Sequence, residues 1–279
     1  MKKYELTENF GEIYGIKLYQ IKALRDFNGV KTGDLGGYIQ SEDNLHHDGD
    51  CWVYGNAMVY GNAMVYGNAR VSGDARVSGD ARVYGNAMVY GTAEVFGNAR
   101  VYGNAEVYGN AGVYGNAMVY GNARVYGNAE VYGNAMVYGN AMVYGDAKIL
   151  QNQYIKFSRV VSDLSLPENL IENIQAQTNL GIFNNEVYCY KHVQDDLSSL
   201  HDSNFKYNIN EWIEVSDPDL SNSSCSSGLH VSHASYWEGN KGSKVLFCKV
   251  NLDDIITVQQ GKIRCRKLFV IGVCNNIVY

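Results

Sequence analysis

A hexapeptide repeat fills the middle of this 279-residue chain and restricts its possible folds more than any other feature. From Val53 to Lys148 the pattern V-Y-G-N-A-x recurs in sixteen consecutive copies without an insertion. Valine opens every copy, glycine holds the third place and alanine the fifth. So short and strict a period predicts a solenoid, because each unit can bury its apolar face only by stacking on the next unit.

The residue types within each copy indicate how the chain turns. Valine is β-branched and favours a strand with its side chain directed inward, and the small alanine fits where the interior is narrow. Glycine followed by Asn, Asp or Thr supplies the left-handed backbone that a tight corner requires. Three corners close a triangular coil of eighteen residues, so that residue i stacks on residue i+18. The repeat then forms about five and a third coils, in a prism about 25 Å tall.

The stacking rule sorts the outward-facing aromatic residues into one column on each face of the prism. One column consists of tyrosines alone: Tyr66, Tyr84, Tyr102, Tyr120 and Tyr138. Stacked rings contribute about 0.5–1.5 kcal/mol per pair beyond burial. Three interpretations of the columns remain open: a self-stabilised surface, an interface between copies of the chain, or a platform for a ligand. We take this column as the predicted interface, since such apolar columns are sizeable patches.

Residues 1–52 do not repeat, and they predict a cap over the open end of the solenoid, where strand edges would otherwise be unpaired. Their most specific motif is G-D-L-G-G-Y-I, from Gly33 to Ile39, followed by E-D-N-L and G-D-C-W-V. Together with the repeat, this pattern resembles a family of phage and prophage hexapeptide-repeat proteins. The resemblance implies a left-handed parallel β-helix in a phage-encoded protein of the bacterial cytosol. Prisms of this kind resemble parts of homotrimers, so a trimer is favoured over a dimer.

Bacterial relatives of that family are often labelled transferases on fold alone, so catalysis by the prism must be considered. Hexapeptide acyltransferases resemble one another in having a His general base near a subunit edge and a loop that leaves the coil. The related carbonic anhydrases need three His residues on the prism. From Val53 to Lys148 the sequence has no His and no Cys. General acid–base catalysis needs a titratable group tuned near neutral pH, and we therefore expect no acyl transfer by the prism.

Residues 151–279 predict a separate α+β domain. Ser165 to Glu168 has the form of a capping box with proline in the first turn, and a short apolar stripe from Leu170 to Ile174 predicts a helix that ends near Gly181. Strands are predicted over residues 186–193, 212–215, 229–232, 244–250, 255–258 and 263–273. The expected domains are therefore 1–52 (cap), 53–150 (solenoid) and 151–279, and the fold class is mostly β.

Four motifs mark the last domain: Y-K-H-V (190–193), C-S-S-G-L-H-V-S-H-A-S-Y-W (225–237), K-V-L-F-C-K-V-N-L-D-D-I-I (244–256) and G-K-I-R-C-R-K (261–267). Together they resemble a domain of unknown function that follows pentapeptide or hexapeptide repeats in phage-associated proteins. The second and third motifs are also similar to a pattern of ADP-ribosyltransferases, in which a His and a Tyr clamp nicotinamide. That similarity implies His192, Ser232 and Tyr236 as catalytic candidates, although His192 lacks the H-G-T context and no clear Glu follows.

Basic residues of the same domain are candidates for binding a small anionic, nucleotide-like ligand. The predicted ligand contacts are Lys191, His230, Lys262, Arg264 and Arg266. Strand alternation would place Lys262, Arg264 and Arg266 on one face, and a solvated sheet face is the other interpretation.

Composition argues against several classes of partner. The net charge is −6, and none of the three segments has the basic excess typical of nucleic-acid binding, so no DNA partner is expected. No apolar run approaches twenty residues, so no membrane partner is expected either.

The six cysteines are scattered, which is typical of reduced thiols in a cytosol. Cys225, His230 and His233 have a spacing that zinc could use, but no fourth ligand is placed, and we expect neither a metal nor a cofactor.

The sequence therefore favours a non-enzymatic phage-type interaction protein, with counter-defence as one form of its role. The solenoid would act as an oligomerising scaffold, and it would display a C-terminal domain that binds a host protein or a small anionic ligand. The alternative is an enzyme, either an ADP-ribosyltransferase-like C-terminal domain or an acyltransferase of the hexapeptide type.

Overall fold

A computed structural model describes residues 2–150, 153–156, 158–161, 164, 167–221, 226–237 and 244–274. The chain divides into two compact units, Met1–Pro167 and Glu168–Tyr279. The predicted fold class is confirmed: a parallel β-solenoid of about seven turns is followed by a separate antiparallel sheet domain with little helix. None of the described helices is long and apolar enough to cross a membrane.

The first strands of the chain extend one sheet of the solenoid at its N-terminal end. Strands β1 (Tyr4–Ile13), β2 (Ile16–Ala23) and β3 (Leu35–Ile39) pair antiparallel in that order, and β3 then pairs parallel with the first coil. A 3-10 turn follows at Glu42–Asn44. Two adjacent glycines of the G-D-L-G-G-Y-I motif, Gly36 and Gly37, are required because a larger residue would not fit. A Cβ atom on Gly36 or Gly37 would lie 2.6 Å from the carbonyl oxygen of Val53 or Ala57 respectively.

Nineteen two-residue strands, counted within the described residues, then build three parallel ladders. The first ladder continues β3 and contains β5 (Met58–Val59), β8 (Arg76–Val77), β11 (Glu94–Val95), β14 (Gly112–Val113), β17 (Glu130–Val131) and β20 (Lys148–Ile149). The second contains β6 (Met64–Val65), β9 (Arg82–Val83), β12 (Arg100–Val101), β15 (Met118–Val119), β18 (Met136–Val137) and β21 (Tyr154–Ile155). The third contains β4 (Trp52–Val53), β7 (Arg70–Val71), β10 (Met88–Val89), β13 (Glu106–Val107), β16 (Arg124–Val125), β19 (Met142–Val143) and β22 (Arg159–Val160).

The repeat positions behave as their chemistry predicts. Every repeat valine and alanine is fully buried, and every repeat glycine has a positive φ, as at Gly109 (71°). Residue i pairs with residue i+18, so Arg76 lies opposite Glu94 at 3.2 Å. The ladder is longer than the five and a third coils of the repeat, because strands outside the repeat pair with it at both ends. It reaches Val160, and the first compact unit therefore extends beyond residue 150.

The second unit is an antiparallel sheet with one short helix. After a 3-10 turn at Pro167–Asn169, helix α1 (Leu170–Thr178) ends at Asn179, which adopts a left-handed conformation. The strands are β23 (Ile182–Phe183), β24 (Glu186–Val193), β25 (Trp212–Glu214), β26 (Leu229–Ser232), β27 (Lys244–Asn251), β28 (Ile255–Gln259), β29 (Lys262–Cys265) and β30 (Lys267–Cys274). Their order in the sheet is β25-β30-β27-β24-β26-β29-β28, with β23 beside β24.

Helix α1 packs on the β28–β29 side of this sheet. Its Ile174 joins a buried cluster with Val187, Val231 and Ile263, and Gln177 donates from Nε2 to the carbonyl of Val258 at 2.8 Å. The single strand predicted over residues 263–273 is wrong, because the chain bends at Arg266 and forms β29 and β30 on either side. The capping residues Ser165 and Leu166 lie outside the described residues.

Candidate functional site

Two neighbouring strands of the C-terminal sheet bring four polar side chains together. In the antiparallel pair β26–β29, His230 lies opposite Arg264, and Ser232 lies opposite Lys262. Side chains two residues apart on a strand share a face, and directly opposed residues have their Cβ atoms about 5 Å apart. The strand pair therefore gathers an imidazole, a guanidinium, an ammonium and a hydroxyl on one face.

Arg264 is the buried anchor of this face, with 2% of its surface exposed. Its Nη1 lies 3.6 Å from Oδ2 of Asp219, and its Nη2 donates to the carbonyl of Ser221. Hydrogen bonds from Ser221 and Ser226, above all from the backbone N–H of Ser221, lower the pKa of Asp219 to about 2. Strand β26 follows Gly228, where a Cβ atom would lie 2.8 Å from Cγ of Arg264. The interpretation of a solvated face is therefore wrong for Arg264.

Arg266 does not join this group, contrary to the prediction that it shares a strand face with Lys262 and Arg264. It lies in the bend between β29 and β30, is exposed, and pairs with Asp254 at 3.5 Å. The bend ends the alternation of the strand, which explains the difference.

Lys191 on β24 is the most unusual cation of the domain, because it is buried with only 8% of its surface exposed. Its Nζ lies 5.4 Å from the centre of the Tyr207 ring. No hydrogen bond or ion pair joins it to another described residue. Burial lowers the pKa of Lys191 to about 8, and the nearby ammonium of Lys262 acts in the same direction.

The pKa of His230 shows that several positive charges act on this side chain. Burial lowers the pKa of His230 to about 4, and further lowering comes from Lys262, Lys191 and Arg264, in that order, and then from His201. Three of the five predicted ligand contacts therefore share this face. Lys191 belongs to the opposite face, because its neighbour Tyr190 lies opposite Ser232, but its charge still acts on the pKa of His230. We call Lys191, His230, Lys262 and Arg264 the basic cluster.

The three residues implied by the ADP-ribosyltransferase similarity lie near one another, but two of them are bonded to the backbone. His192 is 3% exposed, and its Nε2 lies 3.4 Å from the carbonyl oxygen of Ala234. Ser232 is fully buried and donates to the carbonyl of Gly261. Tyr236 is 39% exposed and packs beside the same glycine. A catalytic role for these residues stays a prediction.

Sequence reasoning missed Asp219, Ser221, Tyr207 and His201 as neighbours of the cluster. Asp219 belongs to a D-P-D segment, which is typical of a polar turn and not of a binding site, and His201 carries no motif at all. The zinc alternative rests partly on Cys225, which lies outside the described residues. Within the described ranges no group of three or more His, Cys, Asp or Glu side chains could hold a metal ion.

The predicted interface column forms a continuous stack of rings on the second ladder of the solenoid. Ring centres from Tyr66 to Tyr138 are 4.7–5.0 Å apart, and successive rings are tilted by at most 9°. Each ring is half-buried, so the column still presents its edges to solvent. The stacking follows the predicted register, and an oligomer contact stays a prediction.

Fold and register define a hexapeptide-type β-solenoid protein, and comparison with known proteins agrees. A family model described as the YdcK β-solenoid repeat matches residues 53–67, 59–73, 63–79, 69–82, 81–93, 99–115, 111–127, 117–133 and 129–145. A curated protein of Escherichia coli (strain K12), named uncharacterized acetyltransferase YdcK, is 39% identical over 62 residues. That match covers 19% of this chain and 19% of the relative, so the chain spans about a fifth of the relative's length.

Proposed function

We propose that this protein is a binding protein, in which a β-solenoid scaffold carries a C-terminal domain that binds a small phosphate-bearing anion. The basic cluster is the proposed site, and a nucleotide-like ligand is the proposed class. The observation that carries the proposal is Lys191, a buried ammonium that no described carboxylate pairs, and whose charge acts together with those of Lys262 and Arg264 on the pKa of His230.

A buried cation without a partner is expensive, and an incoming anion would offset that cost by forming charge-assisted hydrogen bonds. Asp219 already compensates Arg264, which leaves Lys191 as the buried cation that no described carboxylate pairs. His230 is neutral at pH 7, so one of its ring nitrogens can still donate to a phosphate oxygen.

Binding is favoured over either transferase. The relative is named an acetyltransferase, but the matched repeats of this chain contain no imidazole or thiol that could act as base or nucleophile. In the C-terminal domain, His192 and Ser232 bond to backbone carbonyls.

The wider role remains part of the proposal. We infer a phage-type protein that acts in the bacterial cytosol on a host protein or a host anion, with the solenoid as the scaffold. Self-association of the solenoid, as a trimer in preference to a dimer, belongs to the same proposal. The stacked aromatic columns on its faces support it.

Calorimetric titration of the full chain with inorganic pyrophosphate tests the proposed site. Lys262→Gln is expected to weaken binding about tenfold or more, since it removes a charged donor from the cluster. Lys267→Gln is the matched control, because Lys267 begins β30, which three strands separate from β29 in the sheet, and pairs with Glu214 at 3.3 Å. Affinity should also fall as the pH rises past about 8, where Lys191 loses its proton. Equal loss in both variants, or no binding by the natural chain, would refute the proposal.

A further inference from the structure

The three faces of the solenoid differ in charge, although the repeat as a whole carries equal numbers of acidic and basic residues. The second ladder, from Met64 to Tyr138, carries the tyrosine column together with Met64, Arg82, Arg100, Met118 and Met136. Aspartate and glutamate do not occur among these positions. We call this surface the tyrosine–arginine face.

The other two faces contain acids that are already bonded. Arg76 pairs with Glu94 at 3.2 Å on the first ladder, and Arg124 lies 3.7 Å from Glu106 on the third. The hydroxyl of Tyr114 donates to Glu130 at 3.1 Å. The charges on those faces are therefore largely compensated within the chain.

The tyrosine–arginine face lacks this compensation. Arg82 and Arg100 lie directly opposite each other on neighbouring strands, and both are exposed. Like charges in directly opposed positions destabilise a sheet. No ion pair joins either guanidinium to a carboxylate of the described residues. An external carboxylate would relieve this repulsion, whereas the folded chain itself does not.

Within the repeat, the corner that follows this face is free of acids as well, whereas the corner before it contains Asp80. The fourth repeat positions of the following corner are all asparagines, joined by amide hydrogen bonds of 3.0–3.1 Å: Asn68, Asn86, Asn104, Asn122 and Asn140. The equivalent positions at the other corners include Asp74, Asp80 and Asp146. The absence of acids therefore covers a continuous strip that is five coils tall.

We propose that the tyrosine–arginine face binds an acidic segment of a partner protein. Tyrosine, methionine and arginine are the residues enriched in the cores of protein interfaces, where acids and lysine are depleted. The rings stack on one another with centres 4.7–5.0 Å apart, so nucleic-acid bases cannot insert between them. The partner would place carboxylates on Arg82 and Arg100, and apolar side chains against the ring edges and the methionines.

A second copy of this chain fits the face less well. A two-fold contact centred on Arg82 and Arg100 would bring arginines against arginines. The acids that a neighbouring copy could offer from its other faces, such as Glu94 and Glu106, are already paired. The inference concerns the solenoid alone and does not depend on the basic cluster of the C-terminal domain.

Binding of the full chain to a random copolymer of glutamate and tyrosine, followed by biolayer interferometry, tests the inference. The double variant Arg82→Gln/Arg100→Gln is expected to weaken binding about tenfold. Arg70→Gln/Arg76→Gln is the matched control, since it removes the same charge from the other two faces and should leave binding within about twofold. Tyr102→Ser should also weaken binding, and serine is tolerated at this repeat position, as Ser72 and Ser78 show.

Four outcomes would overturn the inference. Equal weakening by the two double variants would mean that copolymer binding depends on the net charge of the protein and not on this face. Loss of binding in Lys262→Gln alone would place the copolymer on the C-terminal domain. If light scattering showed an oligomer that Arg82→Gln/Arg100→Gln dissociates, with copolymer binding unchanged, the occupant would be a second copy. A copolymer of lysine and tyrosine should not bind, and equal binding of both copolymers would also contradict the inference.

Discussion

Replacing Lys191 by methionine is expected to raise the free energy of unfolding of the C-terminal domain by about 2 kcal/mol at pH 7. Burial lowers the pKa of Lys191 from 10.5 to about 8 in the folded domain, which means that the folded state holds the ammonium less favourably than the unfolded chain does. Methionine is unbranched and only one atom shorter than lysine, and it removes the charge. The same substitution should abolish pyrophosphate binding, so that stability and binding change in opposite directions.

Chemical denaturation at several pH values measures this effect and checks its sign. The folded state binds fewer protons than the unfolded state between pH 8 and 10.5, so the natural domain should gain stability as the pH rises through that window. Lys191→Met should lack this gain. Lys206→Met is the control, because Lys206 is exposed and pairs with Asp196 at 3.2 Å. A Lys191→Met domain that is less stable than the natural one would show that the contact with Tyr207 outweighs the burial of charge.

Replacing Asn44 by alanine is expected to destabilise the first coil of the solenoid by about 3 kcal/mol, since four hydrogen bonds are lost at a buried position. Its Oδ1 accepts from the backbone N–H groups of Gln40 and Ser41, at 3.1 and 2.9 Å. Its Nδ2 donates to the carbonyls of Gly61 and Ala63, both at 2.9 Å. In later coils the equivalent carbonyls accept from backbone N–H groups, so one side chain here replaces part of a strand.

Hydrogen exchange followed by mass spectrometry would locate this effect. In Asn44→Ala, exchange should accelerate from Met58 to Val65 and remain slow in the central coils. Asn104→Ala is the matched control, because Asn104 is exposed at a corner and loses only ladder bonds between amides, which is worth about 0.5 kcal/mol. Equal destabilisation by the two substitutions would contradict a capping role for Asn44.

The solenoid could be predicted from sequence because each repeat position makes the same contacts in every coil. The valine and alanine interior, the glycine corners and the register of Arg76 with Glu94 all follow from the period. The strands that follow the last repeat could not be predicted from the period. From Ile155 to Val160 the spacing of buried residues falls to five, yet both strands still pair with the ladder. The pairing of these two strands depends on the coil on which they stack, and the local sequence does not indicate it.

The candidate site could be predicted only in part, because it combines segments distant in sequence. The residue types of the basic cluster were recognised, and strand pairing accounts for the meeting of His230 with Arg264. The burial of Arg264 depends on the loop that contains Asp219 and Ser221, more than forty residues away in the chain. The surroundings of Lys191 likewise include a distant segment, because its ammonium lies over the ring of Tyr207. Neither contact has a signature in local sequence.

The pKa of the His230 imidazole, followed by NMR in the free chain and with saturating pyrophosphate, tests the proposed anion site most directly. In the free chain, burial and the cations of the cluster lower the pKa of His230 to about 4. A bound phosphate would offset those cations, so we expect the pKa of His230 to rise by about one unit or more. A pKa of His230 that remains at about 4 when pyrophosphate is saturating would contradict an anion site at the basic cluster.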